Sequence, residues 1–214
     1  MNTTTTKKRA GRPAGTTKNR RPICLEEYRK FMQAIDSYDV SVERKCVIKR
    51  AVVLLRYGGF RISELTHLRY SDLLDLYMIN RIALSNNTKT KKPRDVLFSD
   101  GAVSEIRNVF SCIDFKDENE VLFKGRGGVF DKRNPTAFGA ELNRAISAIF
   151  GKQYSTHSFR AGYITDLFRA NNDASVIQHT VGHSNVSTTL GYRFVEDADK
   201  VSAVDCLTGT EEVA

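Results

Sequence analysis

The segment that decides the fold runs from His157 to Arg193 and reads HSFRAGYITDLFRANNDASVIQHTVGHSNVSTTLGYR. It predicts three consecutive helices, over residues 158–171, 173–181 and 186–195. Polar side chains stand out against the apolar positions of these helices, and four of them carry groups suited to acid–base or phosphate chemistry. These are His157, Arg160, His183 and Tyr192.

The first of these helices carries a charge on its apolar face. Arg160 precedes Ile164 and Phe168 at intervals of four residues, and His157 lies three residues before Arg160 on the same side. Because a buried, unpaired charge is costly, Arg160 needs an anionic partner. A carboxylate such as Glu64 is one candidate. A phosphate is the other, since the planar guanidinium fork matches its oxygens well.

The chain upstream is also helical. Helices are predicted over Leu25–Ile35 and Val42–Tyr57, and the second ends at Gly58-Gly59. A shorter helical piece follows, in which Arg61 and Glu64 share one face. Taken alone, that pair is typical of an ordinary surface ion pair.

The middle of the chain changes character. Two short strands are predicted, Met78–Leu84 and Asp95–Phe98, joined by a polar hairpin loop that contains Lys89, Lys91 and Lys92. Further helices are predicted at about 101–111 and 135–150, with a short extended piece at 121–123 and a glycine-rich loop at 125–128. The expected fold class is α+β, mostly α, with a small antiparallel sheet.

Length and composition indicate one globular domain with tails. The chain has 214 residues, of which 41% are hydrophobic and 27% charged. No apolar run approaches the roughly 18 residues that span a bilayer. The expected division is a basic tail at 1–21, a catalytic domain at 22–200 and a C-terminal tail at 201–214.

The net charge of +8 is concentrated in the N-terminal tail, where residues 1–21 carry seven basic side chains and no acidic one. A basic tail on a nearly neutral body indicates a polyanionic partner, most commonly nucleic acid, although a solvated leader has the same composition. Gly11-Arg12-Pro13 resembles the core of an AT-hook, which enters the narrow minor groove of A·T-rich DNA. The predicted DNA-binding residues are Lys7, Lys8, Arg9, Arg12, Arg20, Arg21, Lys91 and Lys92.

The cysteines and histidines predict neither disulfides nor metal. The four cysteines are widely spaced and form no CxxC pair, which is typical of a reduced, intracellular protein. His179 and His183 are four residues apart, as metal ligands on one helical face are, but no third ligand lies nearby. No cofactor is expected.

The order of these motifs closely resembles the tyrosine recombinase, or phage integrase, family. The resemblance rests on an Arg-x-x-Glu pair, a lysine in a hairpin, His-x-x-Arg, Gly-His and a final tyrosine, and it runs from about Leu25 to Val195. It implies the fold of that family's catalytic domain. The short N-terminal part resembles the single-domain members that invert fimbrial promoters in bacteria.

The resemblance implies that three residues hold the scissile phosphate and that a fourth orients them. Arg61 and Arg160 would bind its non-bridging oxygens and stabilise the pentavalent transition state. His183 would donate a further hydrogen bond to the same group. Glu64 would orient this cluster rather than react.

The resemblance also implies the proton transfers. Tyr192 would attack the phosphorus and form a 3′-phosphotyrosyl bond. His157 would help to accept its proton, because a phenol with a pKa of about 10 is little ionised at neutral pH. Lys89 would protonate the departing 5′-oxygen, with Lys91 and Lys92 of the same loop as alternatives.

The partners implied are double-stranded DNA with specific recombination sites, a homotetramer across two such sites and possible accessory DNA-bending proteins. The protein would be cytoplasmic and nucleoid-associated in a bacterium or archaeon, or phage-encoded, and would not contact a membrane. Val201, Val204 and Leu207 in the C-terminal tail would dock on a neighbouring protomer or pack on their own domain.

Two other functions share part of this pattern. A type IB topoisomerase uses the same tyrosine chemistry as a monomer on one duplex, and a DNA relaxation assay without paired sites separates it from a recombinase. A non-catalytic DNA-binding regulator has no need for Tyr192 or for the full set of catalytic candidates.

Removal of residues 1–21 should weaken DNA binding and flatten its dependence on salt. Each lost phosphate contact lowers the slope of log affinity against log salt by about 0.9 on duplex DNA. If half of the seven charges contact phosphates, the slope falls by roughly three. Affinity titrations over a range of salt concentrations measure this slope, and an unchanged slope would identify the tail as a passive leader.

Overall fold

The computed structural model describes residues 21–84, 93–111, 117–125 and 128–193. Its helices are α1 (Leu25–Ala34, continued by a 3-10 turn at Ile35–Ser37), α2 (Val42–Gly58), α3 (Ile62–Leu65), α4 (Tyr70–Ile79), α5 (Asp100–Phe110), α6 (Pro135–Phe150), α7 (Thr156–Arg169), α8 (Ala174–Val181) and α9 (Val186–Leu190). Its strands are β1 (Arg81–Leu84), β2 (Arg94–Leu97), β3 (Lys124–Gly125) and β4 (Gly128–Lys132). The prediction of a mostly helical fold with a small antiparallel sheet is confirmed.

Helix α2 forms the centre of the main core. Residues 51–55 are all fully or almost fully buried, so this part of the helix is apolar around its circumference, as a segment enclosed by other elements must be. It packs against α5 on one side and α7 on the other. The Ser41 side chain caps its first turn, and Gly59 ends it in the left-handed conformation, with φ 55°.

Two antiparallel hairpins lie beside the helices. Strands β1 and β2 are antiparallel, with Leu84 opposite Arg94. The predicted hairpin lysines belong to the segment between these strands, which lies outside the described residues. Strands β3 and β4 form a second hairpin. Of the glycine-rich loop expected at residues 125–128, Gly125 ends β3 and Gly128 begins β4, and residues 126 and 127 lie outside the described residues.

Helix α4 corrects one prediction. Residues 78–80 were expected to begin a strand, but Met78 and Ile79 form the last turn of α4, and Asn80 ends it in the left-handed conformation. Both side chains are largely exposed. In the sequence, two adjacent apolar residues before Arg81 resemble the start of a strand. Because both are exposed, they do not follow the apolar spacing of a helix that packs on a core.

The core divides into a large cluster and a small one. The large cluster joins α1, α2, α5 and α6. The small cluster consists of Ile164, Ile177 and Val181, with Tyr163 and Tyr192 packed against it. Helix α7 belongs to both, and its Arg160 lies where they meet.

One glycine sets how closely α7 approaches the N-terminal segment. A Cβ added at Gly162 would lie 1.9 Å from the carbonyl oxygen of Ile23. The Ile23 N–H donates to the Ser158 carbonyl at 3.0 Å, which places the start of the domain against this helix. In the part of the chain that the structure describes, no helix is long and apolar enough to cross a membrane.

Candidate active site

The site is built on the C-terminal end of α8, where the helix leaves backbone carbonyl groups without helical partners. The N–H groups of Gly182 and His183 satisfy the carbonyls of His179 and Gln178, at 3.2 and 3.0 Å. The three carbonyls that follow, at Thr180, Val181 and Gly182, each accept from a different arginine.

Those three arginines come from distant parts of the chain. Arg94 Nη1 donates to the Thr180 carbonyl at 2.8 Å, Arg160 Nη2 to Val181 at 2.5 Å and Arg61 Nη2 to Gly182 at 2.9 Å. The C-terminal end of a helix carries partial negative charge, which favours cations there. One helix end therefore gathers β2, α7 and the start of α3.

Arg160 is buried and is held by backbone alone. Its Nη1 donates to the Gly59 carbonyl, at the end of α2, while Nη2 holds α8. An ion pair with Glu64, one of its two candidate partners, does not form. Arg160 is 5% exposed, and among the described residues its hydrogen-bond partners are neutral carbonyls and no carboxylate is paired with it.

Glu64 lies beneath the cluster and accepts from two arginines. Its Oε1 accepts from Arg61 Nη1 at 2.7 Å, and its Oε2 accepts from Arg94 Nη2 and from the Arg61 backbone N–H, both at 2.8 Å. Burial acts to raise the pKa of Glu64, but Arg94 and Arg61 outweigh it, so that pKa lies below its usual value. The carboxylate is ionised, and the Arg61–Glu64 pair is internal, unlike the surface pair that the segment alone suggested.

The cluster remains positively charged overall, because three guanidinium groups surround one carboxylate. Burial, and then the like charges of Arg61 and Arg94, lower the pKa of Arg160 to about 9. Arg160 is still a cation at neutral pH, and an anion bound beside it would offset the repulsion from Arg61 and Arg94.

His183 follows α8 directly and faces the arginines. Burial, followed by the charges of Arg160, Arg61 and Arg94, lowers its pKa to about 4, so the imidazole is neutral at pH 7. Its Nδ1 lies 2.9 Å from the hydroxyl of the buried Thr189. When that hydroxyl donates to Nδ1, the ring proton is on Nε2, which is then a hydrogen-bond donor.

Tyr192 lies beside His183 at the end of α9. The two rings are stacked, with centroids 6.1 Å apart and 20° between their planes. Tyr192 is partly buried against the small core cluster, and its phenol acts electrostatically on Arg160. His157 is exposed in the first turn of α7, one turn before Arg160.

The structure thus brings together Arg61, Glu64, Arg160, His183 and Tyr192. The predicted hairpin lysines Lys89, Lys91 and Lys92 lie outside the described residues, as do Lys7, Lys8, Arg9, Arg12 and Arg20 of the basic tail and the C-terminal residues 201–214. Arg21 is described, and its guanidinium lies 5.8 Å above the Tyr154 ring.

Two residues of the site were missed in the sequence. Arg94 was assigned to the polar loop, yet it stands two residues before the fully buried Val96, and strand alternation therefore places it on the inward face. Thr189 carries no comparable signal. Its neighbour Thr188 is exposed, and only the tertiary contact with His183 separates the two.

The chain matches the model of the phage integrase family over residues 23–199. The chain belongs to this family. Similar curated members include a tyrosine recombinase of Thermosipho africanus, 32% identical over 73% of this chain and 52% of that protein. Tyrosine recombinase XerC of Rickettsia prowazekii is 33% identical over 67% of this chain and 46% of its own. The chain spans about half the length of these curated relatives.

Solved structures of the phage integrase family share the fold. XerH site-specific recombinase, in a post-cleavage complex with its difH substrate, has a TM-score of 0.63 at 17% identity, over 86% of this chain and 51% of that one. A lambda integrase dimer bound to a COC′ core site has a TM-score of 0.60 at 18% identity, over 95% and 53%. The expected fold of a tyrosine recombinase catalytic domain is confirmed.

Thr189→Val should lower the rate of DNA cleavage, because it leaves His183 Nδ1 without its hydroxyl partner and frees the ring to take the other tautomer. Partners that orient metal-binding histidines typically contribute about tenfold or more to activity, and we expect a loss of that order here. Single-turnover cleavage of a nicked duplex measures the loss. Thr188→Val is the matched control on the exposed face, and equal rates for the two variants would show that Thr189 does not orient His183.

Proposed function

We propose that this chain is a site-specific DNA recombinase that cleaves and rejoins DNA strands through a covalent bond between Tyr192 and a 3′-phosphate. The observation that carries the proposal is the meeting of Arg61, Arg160, His183 and Tyr192 at one helix end, around excess positive charge. Membership in the phage integrase family supports it.

The two arginines keep enough donors for a phosphate. A guanidinium has five N–H donors. Among the described residues, Arg61 uses one on Glu64 and one on Gly182, and Arg160 uses one on Gly59 and one on Val181, so three donors of each are not used there. These donors are held in place before the substrate arrives, which is the condition for strong transition-state stabilisation.

The histidine completes the phosphate site without adding charge. A neutral His183 donates through Nε2 to a non-bridging oxygen, while its Nδ1 remains on Thr189. Burial lowers the pKa of His183 most, and the arginines lower it further because a fourth cation in this pocket would repel the other three, so the imidazole is neutral. The transition state gains negative charge on the non-bridging oxygens, where these donors converge.

In the proposed reaction, the Tyr192 oxygen forms a bond to phosphorus as the bond to the 5′-oxygen breaks. The Tyr192 proton passes to a base, for which His157 is the candidate, and Lys89 protonates the leaving oxygen. The product is a 3′-phosphotyrosyl bond and a free 5′-hydroxyl. Attack by a 5′-hydroxyl of another strand reverses these transfers, so the phosphodiester energy is conserved.

The partners follow from this chemistry. The substrate is double-stranded DNA with defined recombination sites, and exchange between two sites requires four active tyrosines, which a homotetramer supplies. The basic tail at residues 1–21 contributes sequence-independent affinity for the phosphate backbone. The C-terminal segment at 201–214 is a candidate contact between protomers, and accessory DNA-bending proteins are candidate partners.

Tyr192→Phe should abolish the covalent protein–DNA adduct on a nicked substrate and leave binding nearly unchanged. The substitution removes only the nucleophilic oxygen and keeps the ring that packs on the small core cluster. Denaturing gel electrophoresis detects the adduct, and a binding titration measures the affinity.

Tyr163→Phe is the matched control, because Tyr163 packs against the same cluster and also lies near the arginines. It should still form the adduct. An adduct with Tyr192→Phe that resists denaturation would show that another residue is the nucleophile.

A further inference from the structure

Arg94 is the one arginine of the cluster that is both buried and ion-paired. Its side chain is 7% exposed, against 20% for Arg61, and its guanidinium donates to Glu64 and to the Thr180 carbonyl. Its Nε is buried and has no hydrogen-bond partner among the described residues. Two of its nitrogens are thus committed and the third is enclosed, so Arg94 is poorly placed to bind a substrate directly.

The charges around Glu64 give Arg94 a different task. A single buried carboxylate lies between two guanidinium groups, at 2.7 Å from Arg61 Nη1 and 2.8 Å from Arg94 Nη2. Without Arg94, the carboxylate would have Arg61 as its sole charged partner. The attraction of Arg61 to a second anion would then be reduced by the full negative charge of Glu64.

We infer that Arg94 is a positioning residue that balances the charge of Glu64 and thereby leaves the charge of Arg61 available for the scissile phosphate. Glu64 in turn fixes Arg61 through both its side chain and its backbone N–H. The two arginines have different roles. Arg94 neutralises the charge of Glu64, and the more exposed Arg61 faces the substrate. This inference rests on the proposed function.

The packing around Arg94 is consistent with this role. A Cβ added at Gly182 would lie 2.7 Å from Arg94 Cδ, so the left-handed glycine after α8 makes room for its stem. The guanidinium lies 6.0 Å above the Phe60 ring. Arg94 is also the first residue of β2, so it lies in the β1–β2 hairpin and in the arginine cluster at the same time.

Charge balance makes a prediction that a purely structural role does not. Arg94→Met keeps most of the stem but leaves Arg61 as the one ion-pair partner of Glu64. We expect single-turnover cleavage to fall by about tenfold or more, because a weakened Arg61 stabilises the phosphate less, and full loss of one such donor costs more than that. Combining Arg94→Met with Glu64→Gln removes the charge that needed balancing. The double variant should therefore cleave faster than Arg94→Met alone.

A second variant tests the same point while Glu64 keeps two cationic neighbours. Arg94→Lys keeps the positive charge beside Glu64 and should recover most of the rate that Arg94→Met loses. Arg81→Met is the matched control, because Arg81 lies on the same hairpin and pairs with Asp95 at 3.0 Å, half-exposed and away from the cluster. Thermal unfolding of each variant confirms that rates are compared between folded proteins.

The outcomes separate this inference from the proposed function. If the wild-type protein forms no Tyr192 adduct, the proposed function fails and the inference fails with it. If the wild type is active but the double variant is no faster than Arg94→Met, Arg94 acts by holding the Thr180 carbonyl and charge balance is wrong. Cleavage by Arg94→Lys as slow as that by Arg94→Met, or an undiminished rate for Arg94→Met, would also overturn it.

Discussion

The rest of the site depends on the carbonyl groups at the C-terminal end of α8, which have no partner within the helix. Backbone acceptors in a protein interior need donors, and here arginines from three separate elements provide them. The same hydrogen bonds that complete the helix end also fix three guanidinium groups within one small volume. The same three hydrogen bonds therefore stabilise the end of α8 and position the arginines.

Gathering three cations has an electrostatic consequence that a single carboxylate does not remove. Glu64 balances one charge, Arg160 has only neutral carbonyls as hydrogen-bond partners, and His183 is kept neutral by its neighbours. The remaining positive charge favours an anion with several acceptor oxygens. A phosphodiester is such a group, and Tyr192 stands beside the place where it would bind.

Much of this arrangement could be predicted from the sequence, because it depends on local periodicity and on ordered motifs. The helices around Arg160 and over residues 135–150 follow from spacing, and the family resemblance named the residues that meet. Tertiary features were missed. The exposed pair Met78 and Ile79 looked like a strand, and the β3–β4 hairpin has only short strands to reveal it.

The partners of the arginines were the least predictable part. A carboxylate and a phosphate were the candidate partners of Arg160, and within the described residues it donates to the carbonyls of Gly59 and Val181 rather than to the carboxylate. Every residue has a backbone carbonyl, so the sequence does not indicate which of them accepts a hydrogen bond from Arg160. Arg94 and Thr189 escaped notice for a related reason, since their importance lies in partners that are distant or inconspicuous in the sequence.

The most direct test of this account is the cleavage rate of Arg160→Lys. Lysine keeps the charge, but its single ammonium cannot span the carbonyls at the ends of α2 and α8 and also grip a phosphate. The account predicts a loss of about 100-fold or more in single-turnover cleavage of a nicked duplex, with the protein still folded, comparable with the removal of one oxyanion donor. Near-normal cleavage by this variant would contradict it, because charge alone would then suffice at the position that joins the two helix ends.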